Sequence, residues 1–153
     1  MAVSAAWFAG FFDGEGSINI SPTSKCCLTV KLCVVNTHLP TLIRIQKEFG
    51  GSLYARNGKG TKGFKPSYLP CYSLSWNGNN ASKVIAQVIA PYVSVKKEQI
   101  DFLLNEWFPY AEANKRHTTS GKGYSQEIWD TKAEMVSKLK DIRTVRFEND
   151  LLQ

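Results

Sequence analysis

Residues 4–35 and 37–76 run through the same order of elements: a helical period, then two stretches of strict alternation. A chain that switches twice from a 3.6-residue to a 2-residue period is restricted to an α+β layer structure, one sheet covered by helices on one face. In the first copy Ser4 can cap a helix to about Asp13, with Trp7, Phe8, Phe11 and Phe12 as its stripe. Ala9 and Gly10 fall on another face, small enough for a second backbone to approach, and Gly14 and Gly16 end the helix. "SINIS" sets Ile18 and Ile20 against Ser17, Asn19 and Ser21, and "SPTSK" reads as a turn. "CLTVKLCVV" sends Leu28, Val30, Leu32 and Val34 toward a core and Cys27, Thr29, Lys31 and Cys33 away from it.

In the second copy Asn36 or Thr37 caps a helix to Phe49, with Pro40 in its first turn and Leu39, Leu42, Ile43 and Phe49 as its stripe. Gly50 and Gly51 stop it. "SLYAR" then directs Leu53 and Ala55 inward and Ser52, Tyr54 and Arg56 outward. A Gly-rich basic loop, "NGKGTKGFKPS", leads to "PCYSLSW", where Tyr72, Leu74 and Trp76 oppose Cys71, Ser73 and Ser75. Helices are predicted at about 81–90, 96–107 and 126–142, with the basic loop "EANKRHTTSGKGYS" before the last. Trp76, Trp107 and Trp129 read as core. The 153 residues fit one domain, a core over about 4–107 with a C-terminal helical extension over 108–153.

Charge is distributed unevenly. From Gly16 to Lys97 there are eleven Lys and Arg against one acid, Glu48, a net of +10 in a chain whose total is +6. A one-signed block of this length is an electrostatic footprint for a polyanion. The outward strand faces inside that block carry Ser, Asn, Thr, Lys, Tyr and Arg besides three cysteines, and no acid. A merely solvated sheet face mixes both signs. A ribbon of this kind can enter the major groove of double-stranded DNA, where Asn19, Ser21, Thr29, Lys31, Tyr54, Arg56, Ser73 and Ser75 would face base edges. Arg56 is suited to bidentate reading of guanine, and Lys25, Lys59, Lys62 and Lys65 to phosphate contacts. The longest apolar stretches are too short and interrupted to span a bilayer, and no basic segment followed by an apolar one marks a secretory signal. Cys26, Cys27, Cys33 and Cys71 follow no metal-ligand spacing, so a reduced intracellular protein is expected.

One stretch runs against ordinary helix chemistry. In "FAGFFDGEGS" the carboxylates of Asp13 and Glu15 meet the negative end of a helix dipole, which costs a few tenths to about 1 kcal/mol unless something cationic meets them. This stretch resembles the nine-residue motif of the LAGLIDADG homing endonucleases, with Ala9, Gly10, Asp13 and Gly16 identical, Phe8 in place of the first Leu and Glu15 in place of the second Asp. The resemblance extends over roughly residues 4–107 and includes "PYVSVKKEQ" ahead of a later helix.

The resemblance implies an αββαββα core whose antiparallel sheet forms a saddle on the DNA major groove. With one motif in the chain it implies a homodimer on a long pseudo-palindromic site, with Ala9, Gly10 and Asp13 at the interface. It further implies a metal-dependent hydrolase active in intron homing, Glu15 and the Gly14 carbonyl holding Mg²⁺ or Mn²⁺. Asp13 could instead cap or brace the helix end, or be a further ligand of the metal. Lys96 occupies the position of a basic catalytic residue, or Lys97 if the register shifts by one, and Asn36 that of a water-positioning residue or a helix cap. Two other functions share these features: a splicing cofactor that binds structured intron RNA, and a DNA-binding module that does not cleave.

Overall fold

The computed structural model describes residues 2–24, 27–56, 70–114 and 125–149. Its elements are α1 (Ala5–Glu15), β1 (Gly16–Ser24), β2 (Cys27–Asn36), α2 (Leu39–Phe49), β3 (Ser52–Arg56), β4 (Cys71–Asn77) and α3 (Asn79–Ile89). There follow α4 (Lys97–Phe102), a π turn (Leu103–Trp107), α5 (Phe108–Ala113) and α6 (Gln126–Asn149). The strands form one antiparallel sheet in the order β1-β2-β4-β3. The chain is therefore an αββαββα core followed by C-terminal helices.

Ser4 starts α1 as the sequence predicts, its hydroxyl accepting from the Trp7 N–H at 3.2 Å. The helix is apolar on nearly every side, and Phe8, Ala9 and Phe12 are the residues it buries. Phe8 joins the two copies of the repeat, stacking on Phe49 of α2 at 4.8 Å between centroids and lying 5.4 Å from Trp76 of β4. Ala9 thus belongs to the buried stripe, contrary to the sequence reading, while Trp7, at 50% exposure, and Gly10 share the open side. In α2 the inward residues are Leu42 and Ile45, and Ile43 is exposed. Asn36 does not cap that helix. Its Oδ1 accepts from the His38 N–H at 2.8 Å, shaping the turn into it.

β1 runs on to Ser24, through the segment read as a turn. It is an edge strand, where Pro22 need not donate to a neighbour, and its pairing with β2 shifts register between Pro22 and Ser24. Ala55 is exposed rather than inward, near the end of the opposite edge strand. The core-facing residues of the two inner strands, Val30, Leu32, Val34, Leu74 and Trp76, are buried under the helices.

The helix predicted to end at Trp107 continues to Ala113. The Phe108 N–H bonds the Leu103 carbonyl, five residues back, and this wider turn makes room for Pro109, which cannot donate and whose ring would crowd a normal turn. Trp107 is fully buried, and its Nε1–H shares the Asn79 Oδ1 with the Val30 N–H, both at 3.1 Å. α6 packs on this assembly through Ile128 and Leu139, with Lys132 buried and its ammonium 5.8 Å from the Trp107 centroid. Lys138 of α6 pairs with Glu106 at 2.6 Å. The extension is thus structurally continuous with the core. Among the described residues no helix is long and apolar enough to cross a membrane.

Candidate nucleic-acid interface

The sheet face turned away from the helices bears a regular lattice of side chains. Strand register sets it out in rows: Ser21 beside Thr29; Asn19, Lys31 and Asn77; Ser17, Cys33, Ser75 and Ser52; Val35, Ser73 and Tyr54; Cys71 and Arg56. Neighbours in a row are about 5 Å apart, and successive same-face residues along a strand are about 6.7 Å apart, roughly two base steps of duplex DNA. The middle of this lattice encloses a hollow of about 330 Å³, lined by Ser17, Asn19, Lys31, Cys33, Val35, Tyr54, Arg56 and Ser73. Among the described residues its charged lining groups are Lys31 and Arg56. No carboxylate opposes them in that lining, so the hollow presents a positive, hydrogen-bonding surface.

The predicted base readers are not equally available. Asn19, Ser21, Tyr54 and Arg56 are exposed, and Thr29 and Lys31 are half-buried. Ser75, 1% exposed, is closed off: it sits on an inner strand between Cys33 and Ser52 and accepts from Asn77 Nδ2 at 3.3 Å. Ser73 is 9% exposed and forms part of the floor. The floor also contains Cys33, Val35 and Ser17, whose outward parity was legible but which were not singled out as binding residues. Ser17 Oγ lies 3.0 Å from Cys33 Sγ and accepts from Asn19 Nδ2 at 3.4 Å, so this corner is organised before any ligand arrives. Lys25, Lys59, Lys62 and Lys65 lie outside the described residues, as do Cys26 and most of the two basic loops.

The helix α1 delivers its acids to one end of this sheet, because β1 begins at Gly16, the residue after Glu15. That junction must be glycine. A Cβ on Gly16 would stand 2.3 Å from the Phe12 carbonyl oxygen and 2.6 Å from the Phe12 ring. Glu15 and Gly14 are exposed there. Asp13 is not: its carboxylate accepts from the Ser94 and Val95 N–H groups at 2.7 and 3.1 Å through Oδ2 and from the Lys96 N–H at 2.9 Å through Oδ1. Asp13 is therefore fastened inside its own chain, and the element it braces is the turn into α4 rather than α1. Nothing in the sequence announces contacts between residues 81–83 positions apart. The Lys96 ammonium bonds the Asp13 backbone carbonyl, which places a cation at the negative end of α1. Lys97 points elsewhere, pairing with Asp101 at 2.7 Å.

Asn36 lies at the same end of the sheet, since Val34 pairs with Gly16, but its parity is that of Val34 and Leu32, on the helix-covered side. Among the described residues no three His, Cys, Asp or Glu side chains converge to form a closed metal site. The donor set at the end of α1 is one exposed carboxylate, Glu15, beside the Gly14 backbone. That is a hard, oxygen-only, open set. It fits Mg²⁺, which takes one or two carboxylates and completes its shell with waters and phosphate oxygens.

Neither a protein-family model nor a curated protein matches the sequence. Solved structures do match in fold. The homing endonuclease I-CvuI, solved with its DNA target in the presence of calcium, aligns over 89% of this chain and 79% of its own, with TM-score 0.66 and 23% identity. The archaeal intron-encoded homing endonuclease I-Vdi141I, complexed with DNA, aligns over 90% and 82%, with TM-score 0.65 and 16% identity. The LAGLIDADG homing endonuclease I-GzeII, in complex with a DNA target, aligns over 90% of this chain and 44% of its own, with TM-score 0.61 and 14% identity. The fold of this chain is the fold of these endonucleases.

Proposed function

We propose that the protein is a site-specific DNA endonuclease that acts as a homodimer and makes a double-strand break at a long pseudo-palindromic site, with a divalent cation bound at Glu15. One juxtaposition carries this reading: an acid-free, basic sheet hollow whose strand β1 begins where α1 ends in an exposed carboxylate. I-CvuI and I-Vdi141I, which share the fold, were each solved with DNA, and this supports DNA as the partner of this chain.

Lys31 and Arg56 would hold the duplex and fix its register, with Arg56 and Asn19 reaching base edges. Glu15 and the Gly14 carbonyl would hold the cation. When bound, such an ion supplies charge stabilisation at the scissile phosphate and acidifies the attacking water. Lys96, anchored at the end of the same helix, would add a second positive charge beside that phosphate. Asn36, at the same end, would orient solvent from the β2–α2 turn.

The open side of α1 supports the homodimer. A helix apolar on all sides is normally buried on all sides, yet Trp7 and Gly10 are exposed and Phe11 is only partly covered, stacked on Trp7 at 5.4 Å. A second copy laid along this stripe would bring two Glu15 carboxylates together, one for each strand of the duplex. The test is incubation of the protein and Mg²⁺ with a plasmid library carrying randomised sites, followed by recovery of linear molecules. Linear products sharing one pseudo-palindromic sequence are expected. Retention of DNA without breaks would identify a binding module instead.

A further inference from the structure

Asp13 makes more bonds than any other carboxylate described, and none of them serves its own helix. Three successive backbone N–H groups, those of Ser94, Val95 and Lys96, converge on its two oxygens within 2.7–3.1 Å. The carbonyl of the same residue accepts from the Lys96 ammonium. One residue thus grips Lys96 at both ends, backbone and side-chain tip, so the direction of a long, rotatable side chain is set from Asp13. Lysine carries about 2 kcal/mol of rotamer entropy, so an unanchored ammonium would sample many positions. Two residues further on in the chain stands Glu15.

We infer that Asp13 is the positioning residue for Lys96, holding its ammonium at the terminus of the helix that carries Glu15 so that the cation is in place before DNA binds. This rests on the nuclease reading for its kinetic consequence but not for its structural one. Both Asp13 oxygens are engaged by the 94–96 amides, so its carboxylate faces the turn of its own chain. An acid at this place in the helix would ordinarily be disfavoured by the dipole; here the three amides and the lysine ammonium offset that. The choice of carboxylate over amide also follows. Asparagine could keep the double acceptor toward Ser94 and Val95, but its NH₂ would then face the Lys96 N–H, donor against donor.

The test uses full-length Asp13→Asn, Lys96→Met and the double variant, with two readouts. The first is independent of cleavage: ¹³C-methylated lysine ammonium signals and amide hydrogen exchange at 94–96 in the free protein. Asp13→Asn is expected to broaden or shift the Lys96 signal toward that of a mobile lysine and to speed exchange at the Lys96 amide, while the thermal transition stays cooperative. An unchanged Lys96 signal in Asp13→Asn overturns the inference, whatever the protein does to DNA. The second readout is single-turnover cleavage of a recovered site alongside its Kd. Asp13→Asn is expected to slow cleavage by about 10- to 100-fold, the range found when a group that orients a catalytic residue is removed, with Kd within about threefold. The double variant is expected to be no slower than Lys96→Met alone, since the two act as a unit. Multiplicative losses, or a loss confined to Kd, would contradict the inference. If the wild type cuts nothing, the nuclease reading fails, while the first readout still decides the role of Asp13.

Discussion

At the scale of single residues, the end of α1 is where geometry is least forgiving. Gly16 both closes the helix, its N–H bonding the Phe12 carbonyl, and opens the strand, and a methyl group there would run into backbone. Gly16→Ala is expected to lower stability by about 3 kcal/mol, the upper end of the overpacking range, as measured by denaturant unfolding. An unchanged midpoint would mean that the junction relaxes freely. Arg56, exposed beside the hollow, is expected to behave differently: Arg56→Ala should leave unfolding unaltered and relax preference at a single base position by about 1–3 kcal/mol, read by competition between site variants. Glu15 stood out in the sequence because a carboxylate conflicts with an ordinary helix C-terminus, and Gly16 because glycine commonly ends a helix. The role of Asp13 did not, because its partners are backbone amides, which have no residue signature.

At the scale of elements, α1 is closed on one side and open on the other. Its buried stripe of Phe8, Ala9 and Phe12 seals the core of its own chain, and its open stripe contains Gly10, around which a Cβ would meet nothing within 4 Å. Gly10→Leu is therefore expected to fold at least as well as the wild type, gaining about 0.5–1 kcal/mol of helix propensity, while blocking close approach of a second α1. Sedimentation velocity is expected to show a dimer for the wild type and a stable monomer for Gly10→Leu. A Gly10→Leu protein that still dimerises would place the interface elsewhere. The sequence distinguished the two faces of the strands better than those of the helix. Alternation in β2 separates Val30, Leu32 and Val34 from Lys31 and Cys33 without ambiguity. A helix with apolar residues on all sides has no preferred angle, so Ala9 was assigned to the wrong face. Edge effects explain the other differences: Pro22 is tolerated because β1 lacks a second neighbour, and Ala55 is exposed near the end of β3. The helix runs past its predicted end at Trp107 because the π turn accommodates Pro109, where an ordinary helical turn would break.

At the scale of the whole molecule, the concentration of positive charge in the sheet-forming half is what the proposed DNA partner rests on. Binding to duplex DNA is expected to weaken steeply with salt, and replacing Lys31 by Ala should reduce the slope of log K against log [salt] by about one if it meets a phosphate. A flat response would show that the charged face is not the contact surface. The central claim is that this face and Glu15 form one machine, the first binding the duplex and the second cutting it. The measurement that tests it most directly compares wild type with Glu15→Gln on a recovered site, Kd and single-turnover cleavage together, with Mg²⁺ and with EDTA. The expected result is equal or tighter binding by Glu15→Gln, no cleavage by it in Mg²⁺, and no cleavage by either protein in EDTA. Cleavage by Glu15→Gln at the wild-type rate would contradict the claim.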